Sequence, residues 1–132
     1  MVRQLARRSA VTGVLTLVLG AGVLGFGSPA FAEEDKYLPC YYGTNEFACY
    51  AGTVQADASG HFVRAAAFIP VRANTTNTCY VHDAVNGAEV GRVSATRSTG
   101  TRTIKINGLY GTYFVNCMNP SWGGGGGAIW NY

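Results

Sequence analysis

The chain has 132 residues, 48% hydrophobic and only 13% charged, with ten Lys and Arg against seven Asp and Glu for a formal net charge of +3. That excess belongs to Arg3, Arg7 and Arg8: beyond residue 32, Lys36, Arg64, Arg72, Arg92, Arg97, Arg102 and Lys105 face Glu33, Glu34, Asp35, Glu46, Asp57, Asp83 and Glu89. A neutral body of 100 residues is too short for two domains, and it has no net electrostatic pull on nucleic acid or anionic lipid.

The first segment reads as an export signal. Its bases form a positive start, Val11 to Leu24 is an apolar run, and Ala30-Phe31-Ala32 offers the small residues of a cleavage site. A membrane anchor would need about 20 apolar residues. This run is shorter and carries Gly20, Gly22 and Gly25 within or beside it. Arg7-Arg8 is followed by Ser9-Ala10-Val11, a poor fit to a twin-arginine signal. Residues 1–32 are therefore expected to be a cleaved signal peptide, and residues 33–132 a single secreted domain with no membrane contact after cleavage.

After the cut, leucine occurs only at Leu38 and Leu109, whereas Val, Ile, Thr and aromatics abound, a composition suited to half-buried strands. Phe47 to Gln55 reads as a strand that turns at Asp57-Ala58-Ser59-Gly60 into a hairpin partner, His61 to Val71. There Val63, Ala65, Ala67, Ile69 and Val71 share one face, and Pro70 places the strand at an edge or a bend. Arg72 to Asn77 reads as polar loop; its Asn74-Thr75-Thr76 matches a glycosylation acceptor but is a short pattern, common by chance. Thr78 to Asp83 pairs through Asn86-Gly87 with Ala88 to Thr96. Arg97 to Gly100 turns into Thr101 to Ile106, and Asn107-Gly108 repeats the hairpin signal before Tyr110 to Met118. The expected fold is all-β, a small antiparallel β-sandwich of about six to eight strands.

Cys40, Cys49, Cys79 and Cys117 all follow the cut and should form two disulfides in an oxidising exterior. Three pairings are open; the nearest-neighbour solution, Cys40 with Cys49 and Cys79 with Cys117, is the one expected. On the chain-entropy view its loops contribute about 3 and about 4 kcal/mol. No Cys-x-x-Cys pair is present and the histidines do not cluster with the thiols, so neither metal nor cofactor is expected.

Catalytic candidates are few: His61, His82, Asp57, Asp83 and Ser59, with Glu46 and Asp57 as the one conceivable acid pair. His82 and Asp83 are neighbours on a strand and point to opposite faces, so they cannot act as a base and its orienting acid. No nucleophile elbow or HExxH accompanies them. The reading is non-enzymatic. Aromatics crowd both ends of the domain instead. Tyr41 and Tyr42, flanked by Gly43-Thr44-Asn45, suit an exposed contact surface, and Trp122, Trp130 and Tyr132 surround five glycines, residues 123–127. As a flexible tether those glycines would span about 12 Å. The tail beyond them either folds back as a last strand or enters a partner's cleft.

With its signal, its 100-residue domain, its two cysteine pairs and the adhesive-looking ends Glu33 to Tyr42 and Trp122 to Tyr132, the chain resembles two groups of small secreted actinobacterial β-proteins. One is the adaptor subunit of the secreted Streptomyces umbrella toxin particles, which joins a lectin subunit to a stalk-forming toxin subunit. The other is the tendamistat-like hydrolase inhibitors, whose Trp-Arg-Tyr triplet is absent here. Both resemblances imply a protein that holds another secreted protein, as an adaptor of a toxin complex or as an inhibitor of a protease or amylase. Carbohydrate or cell-wall binding through Tyr41, Tyr42, Trp122 and Trp130 is a third expectation. No nucleic acid partner is expected.

Overall fold

A computed structural model describes residues 36–132; the expected signal peptide, residues 1–32, and Glu33, Glu34 and Asp35 lie outside the described residues. The strands run β1 (Tyr37–Tyr42), β2 (Ala48–Gln55), β3 (Phe62–Ala67), β4 (Asn77–Asp83), β5 (Glu89–Ala95), β6 (Arg102–Asn107), β7 (Thr112–Met118) and β8 (Gly125–Trp130). They form two four-stranded sheets, β1-β8-β3-β6 (sheet A) and β2-β7-β4-β5 (sheet B), with every pairing antiparallel. An all-β sandwich with two disulfides is thus the fold.

Alternation along the strands builds the interior. Val63, Ala65, Ala67 and Ile129 of sheet A meet Val54, Val81, Tyr113 and Val115 of sheet B. Many of these side chains are small, and the disulfides fill the space between them. Cys79 and Cys117 stand directly opposite on β4 and β7, with Cα atoms 3.9 Å apart. Cys40 reaches from β1 in sheet A to Cys49 on β2 in sheet B, with Cα atoms 5.8 Å apart, so this bond pins the two layers together. Both pairings are the nearest-neighbour ones. Such bonds belong to a chain matured in oxidising surroundings.

Two expected hairpins do not form. β2 pairs with β7, while β3 lies in the other sheet between β8 and β6. Likewise β6 and β7 cross between sheets instead of pairing across Asn107-Gly108, although Gly108 has the positive φ of 76° that a tight turn uses. Only β4 and β5, joined through Asn86-Gly87, are consecutive strands that pair. β3 is interior to its sheet and stops at Ala67, before Pro70, so the proline removes no ladder donor and Ile69 and Val71 leave the inward face for solvent. Asn77, expected in a loop, opens β4 and is fully buried. β1, which carries Pro39, was not expected as a strand. It is an edge strand, where a missing N–H is tolerated.

The glycine run is not a tether. Gly125, Gly126 and Gly127 belong to β8, the strand between β1 and β3. Glycine ordinarily weakens a strand, and here it is required by close approach. A Cβ on Gly127 would overlap the Sγ atoms of both Cys79 and Cys117 and the Ala66 carbonyl; one on Gly126 would overlap the Cys40 carbonyl. Buried amides then hold the run in place. Asn77 Nδ2 donates to the Gly126 carbonyl (2.7 Å) and the Phe68 carbonyl (2.8 Å), and Asn119 Nδ2 donates to the Gly124 carbonyl (3.2 Å).

Candidate functional site

The residues able to do acid–base chemistry are each engaged in a local turn. The Asp57 carboxylate accepts from the Gly60 N–H and the Ser59 hydroxyl, and these donors hold its pKa below the usual carboxylate range. Asp83 accepts from the Val85 and Asn86 amides at 2.7 and 3.3 Å, closing the β4–β5 turn. A ring nitrogen of His82 lies 3.0 Å from the Gly87 carbonyl, while His61 lies against the ring of Tyr110. Among the described residues no hydrogen bond joins either histidine to a carboxylate or hydroxyl. An open polar depression of about 340 Å³ sits between the β3–β4 and β5–β6 connections, lined by Thr75, Thr76, Thr96 and Arg97 among others, and it holds neither an acid nor a histidine.

The aromatic residues present a different picture. Tyr42, expected beside Tyr41 at the surface, points inward: alternation on β1 exposes Tyr41 and buries Tyr42, which is 4% exposed. Its register partner Gly125 lacks a side chain, and its hydroxyl donates to Asn77 Oδ1 at 2.6 Å. Burial pushes that phenol far above the ordinary tyrosine value. Tyr42 is therefore a core residue and not a contact residue.

Tyr41 and Trp130 share the outer face of sheet A. The registers across β1-β8-β3-β6 place Tyr37, Trp130, Arg64 and Lys105 in one row, and Pro39, Ala128, Ala66 and Thr103 in the next. Tyr41 follows, opposite Gly126 and stacked on Phe68 with ring centroids 5.3 Å apart. Tyr37 and Trp130 are in ring contact at 5.6 Å. Ala128 and Ala66 point outward yet are 0% and 3% exposed, so the large side chains of the flanking rows lean over them. Tyr132 joins this face, its main-chain oxygen accepting from Arg64 Nε at 3.1 Å. Partial burial raises the Tyr37 pKa, and the nearby Tyr41 and Tyr132 phenols raise it further.

Trp122 is elsewhere. It lies in the β7–β8 connection against Phe47, ring centroids 5.7 Å apart, at the end of the sandwich where β1 finishes; Tyr37 and Trp130 are at the end where β1 begins. One strand of that length separates the two sets by about 17 Å. The expected contact residues are thus divided, with Tyr41, Trp130 and Tyr132 on one face and Trp122 at one end.

Sequence reasoning missed Tyr37, Phe68 and Phe47 as members of these sets, because their partners come from distant segments. It also missed the outer face of sheet B. There Tyr50, Phe114, His82 and Tyr80 form a chain of ring contacts at 5.1, 5.1 and 6.4 Å, which Arg92 ends by lying 5.2 Å over Tyr80. The alternation of Phe114 and Asn116 against Val115 and Cys117 was the available signal. No protein-family model matches the chain, and no curated protein matches it in sequence.

Proposed function

We propose that the chain is a secreted, non-enzymatic protein-binding module acting as an adaptor in an extracellular toxin-type assembly. One observation carries this reading: at opposite ends of β1, exposed Tyr37 packs on the half-buried Trp130, and exposed Phe47 packs on exposed Trp122, while the exposed Tyr50 and Tyr110 belong to neither pair. Exposed clusters of large rings on a monomer of this size mark contact sites. Joining two proteins requires two such sites, and the rigid disulfide-bonded layers keep them a fixed distance apart.

A single site would be enough for an inhibitor. The feature favouring that second reading is the Cys40–Cys49 bond, which closes the β1–β2 connection and presents Phe47 on a constrained loop. Constraint of this kind lowers the ordering cost of entering an enzyme cleft.

Cross-linking and co-purification from native culture fluid test both readings. An adaptor is recovered with two different larger chains, Trp122→Ala losing one and Trp130→Ala the other. A protein recovered alone and monodisperse removes the adaptor reading, and stoichiometric inhibition of a purified protease or amylase would replace it.

A further inference from the structure

The two sheets differ in charge as well as in packing. The four strands of sheet A carry Arg64, Arg102 and Lys105 and no acid, whereas those of sheet B carry Arg92 with Asp83 and Glu89. On sheet B the single cation is neutralised: Arg92 Nε and Nη2 donate to the two Glu89 carboxylate oxygens at 2.6 and 3.1 Å. On sheet A Arg64 Nε donates to the main-chain oxygen of Tyr132 at 3.1 Å, and among the described residues no Asp or Glu side chain lies within ion-pair distance of Arg64 or Lys105. Both are instead held over the Phe62 ring, at 5.3 and 4.0 Å from its centre.

From this juxtaposition we infer that the outer face of sheet A docks a carboxylate-bearing, otherwise apolar segment of the partner protein. Arg64 and Lys105 receive its carboxylates, and Tyr37, Trp130 and Tyr41 cover its apolar residues. The inference rests on the protein-binding reading above and names the chemistry of one of the two partners. Trp130 and Arg64 are register neighbours on adjacent strands, so the apolar and cationic contacts lie about 5 Å apart, within the reach of residues i and i+2, which share one face of an extended segment. The nearly covered Ala66 and Ala128 leave no tall side chain of their own between the aromatic rows. Cations already positioned over a ring lose less freedom on pairing than free ones, and with its Nε bonded to Tyr132 Arg64 still offers its paired Nη groups to a carboxylate. The neutral balance of residues 33–132 gives no such preference for a polyanion as a whole. The preference is local to this face.

The test uses protein expressed from the full chain and recovered from the medium, immobilised and exposed to a displayed library of random peptides. Selected peptides are expected to pair Asp or Glu with apolar residues, and to bind about tenfold or more weakly at high salt or to Arg64→Glu/Lys105→Glu. Arg92→Glu on the opposite face should leave them unchanged. Circular dichroism and melting of each variant establish that it is folded. Selected peptides that are neutral or basic, or that bind Arg64→Glu/Lys105→Glu equally well, overturn the inference. So does preferential capture of phosphatidylserine vesicles or heparin. A partner co-purifying equally with wild type and Arg64→Glu/Lys105→Glu sinks this inference and leaves the protein-binding reading standing; recovery of neither peptide nor partner by the wild type sinks both.

Discussion

Both sheets turn aromatic rings to the outside, yet they use them differently. On sheet B the rings contact one another in series from Tyr50 to Tyr80, and the cation at the end of the series is paired with Glu89. That face answers its own chemistry. On sheet A the rings stand in two pairs, Tyr37 with Trp130 and Tyr41 with Phe68, and the cations held over Phe62 have no Asp or Glu partner among the described residues, Arg64 bonding only the Tyr132 main chain. An aromatic surface is therefore poor evidence of a contact site until one asks whether its polar and charged groups are already satisfied.

The sharpest way to break this comparison is at the interior, where β8 of sheet A lies against the Cys79–Cys117 bond of sheet B. Gly127→Val should prevent folding or cost at least about 3 kcal/mol, because its side chain enters the space of the Cys79–Cys117 sulfurs and overpacks a rigid centre. Denaturant unfolding, with thiol counting for disulfide formation, reads this. A melt equal to the wild type would mean that β8 does not lie where it is described.

Next in size are the disulfides. Replacing Cys79 and Cys117 by alanine should cost about 4 kcal/mol and replacing Cys40 and Cys49 about 3, following their loop lengths. The order is informative, since the first bond lies within sheet B and the second joins the layers. If the second loss is the larger, the sheets are held together chiefly by that bond. Phe114→Ala comes third, at about 2 kcal/mol, because it lies in ring contact with both Tyr50 and His82; Tyr41→Ala, 71% exposed, should cost under about 1 kcal/mol. Equal losses in thermal unfolding would erase the distinction between the two faces.

A small effect, specific to high pH, is expected at Tyr42. Tyr42→Phe should cost about 1 kcal/mol at neutral pH by depriving Asn77 of a buried donor. Burial raises its folded pKa above the ordinary tyrosine value of about 10, so the unfolded chain releases the phenolic proton first. The wild type should lose stability as pH rises above about 10, and Tyr42→Phe should lose less over that range. Parallel alkaline curves would refute the buried position.

The strands rich in Val, Ile and Thr were legible because alternation is a local property, whereas the cysteine pairing was one of three open solutions and the nearest-neighbour one is the one that forms. The β4–β5 hairpin was legible because Asn86-Gly87 both reverses the chain and leaves it in one sheet. Asn107-Gly108 reverses it equally well, and nothing in those residues says that the next strand will join the opposite layer. For β8 the signal was opposite in sense: glycine reads as flexibility, and only the sulfurs and carbonyls arriving from other strands make its emptiness a packing requirement. Of the residues picked by type and flanking turns, Tyr41, Trp122 and Tyr132 are exposed and Trp130 is half-buried. Tyr42 was misplaced because a pair of tyrosines on a strand must split between its two faces. The cationic rows of sheet A could not be seen at all, since registry brings Arg64 and Lys105 together from separate segments.

The order of strands in sheet A has a bearing on how the molecule is made. Its second position is occupied by β8, which comes later along the chain than every strand it touches. Until that segment arrives, β1 has no partner in its sheet and β3 is open along one edge. No vectorially emerging portion can close this layer early, so assembly is deferred to the moment when residue 130 is free. Sheet B, all of whose strands precede β8, can form first, and sheet A closes over it when the last strand arrives.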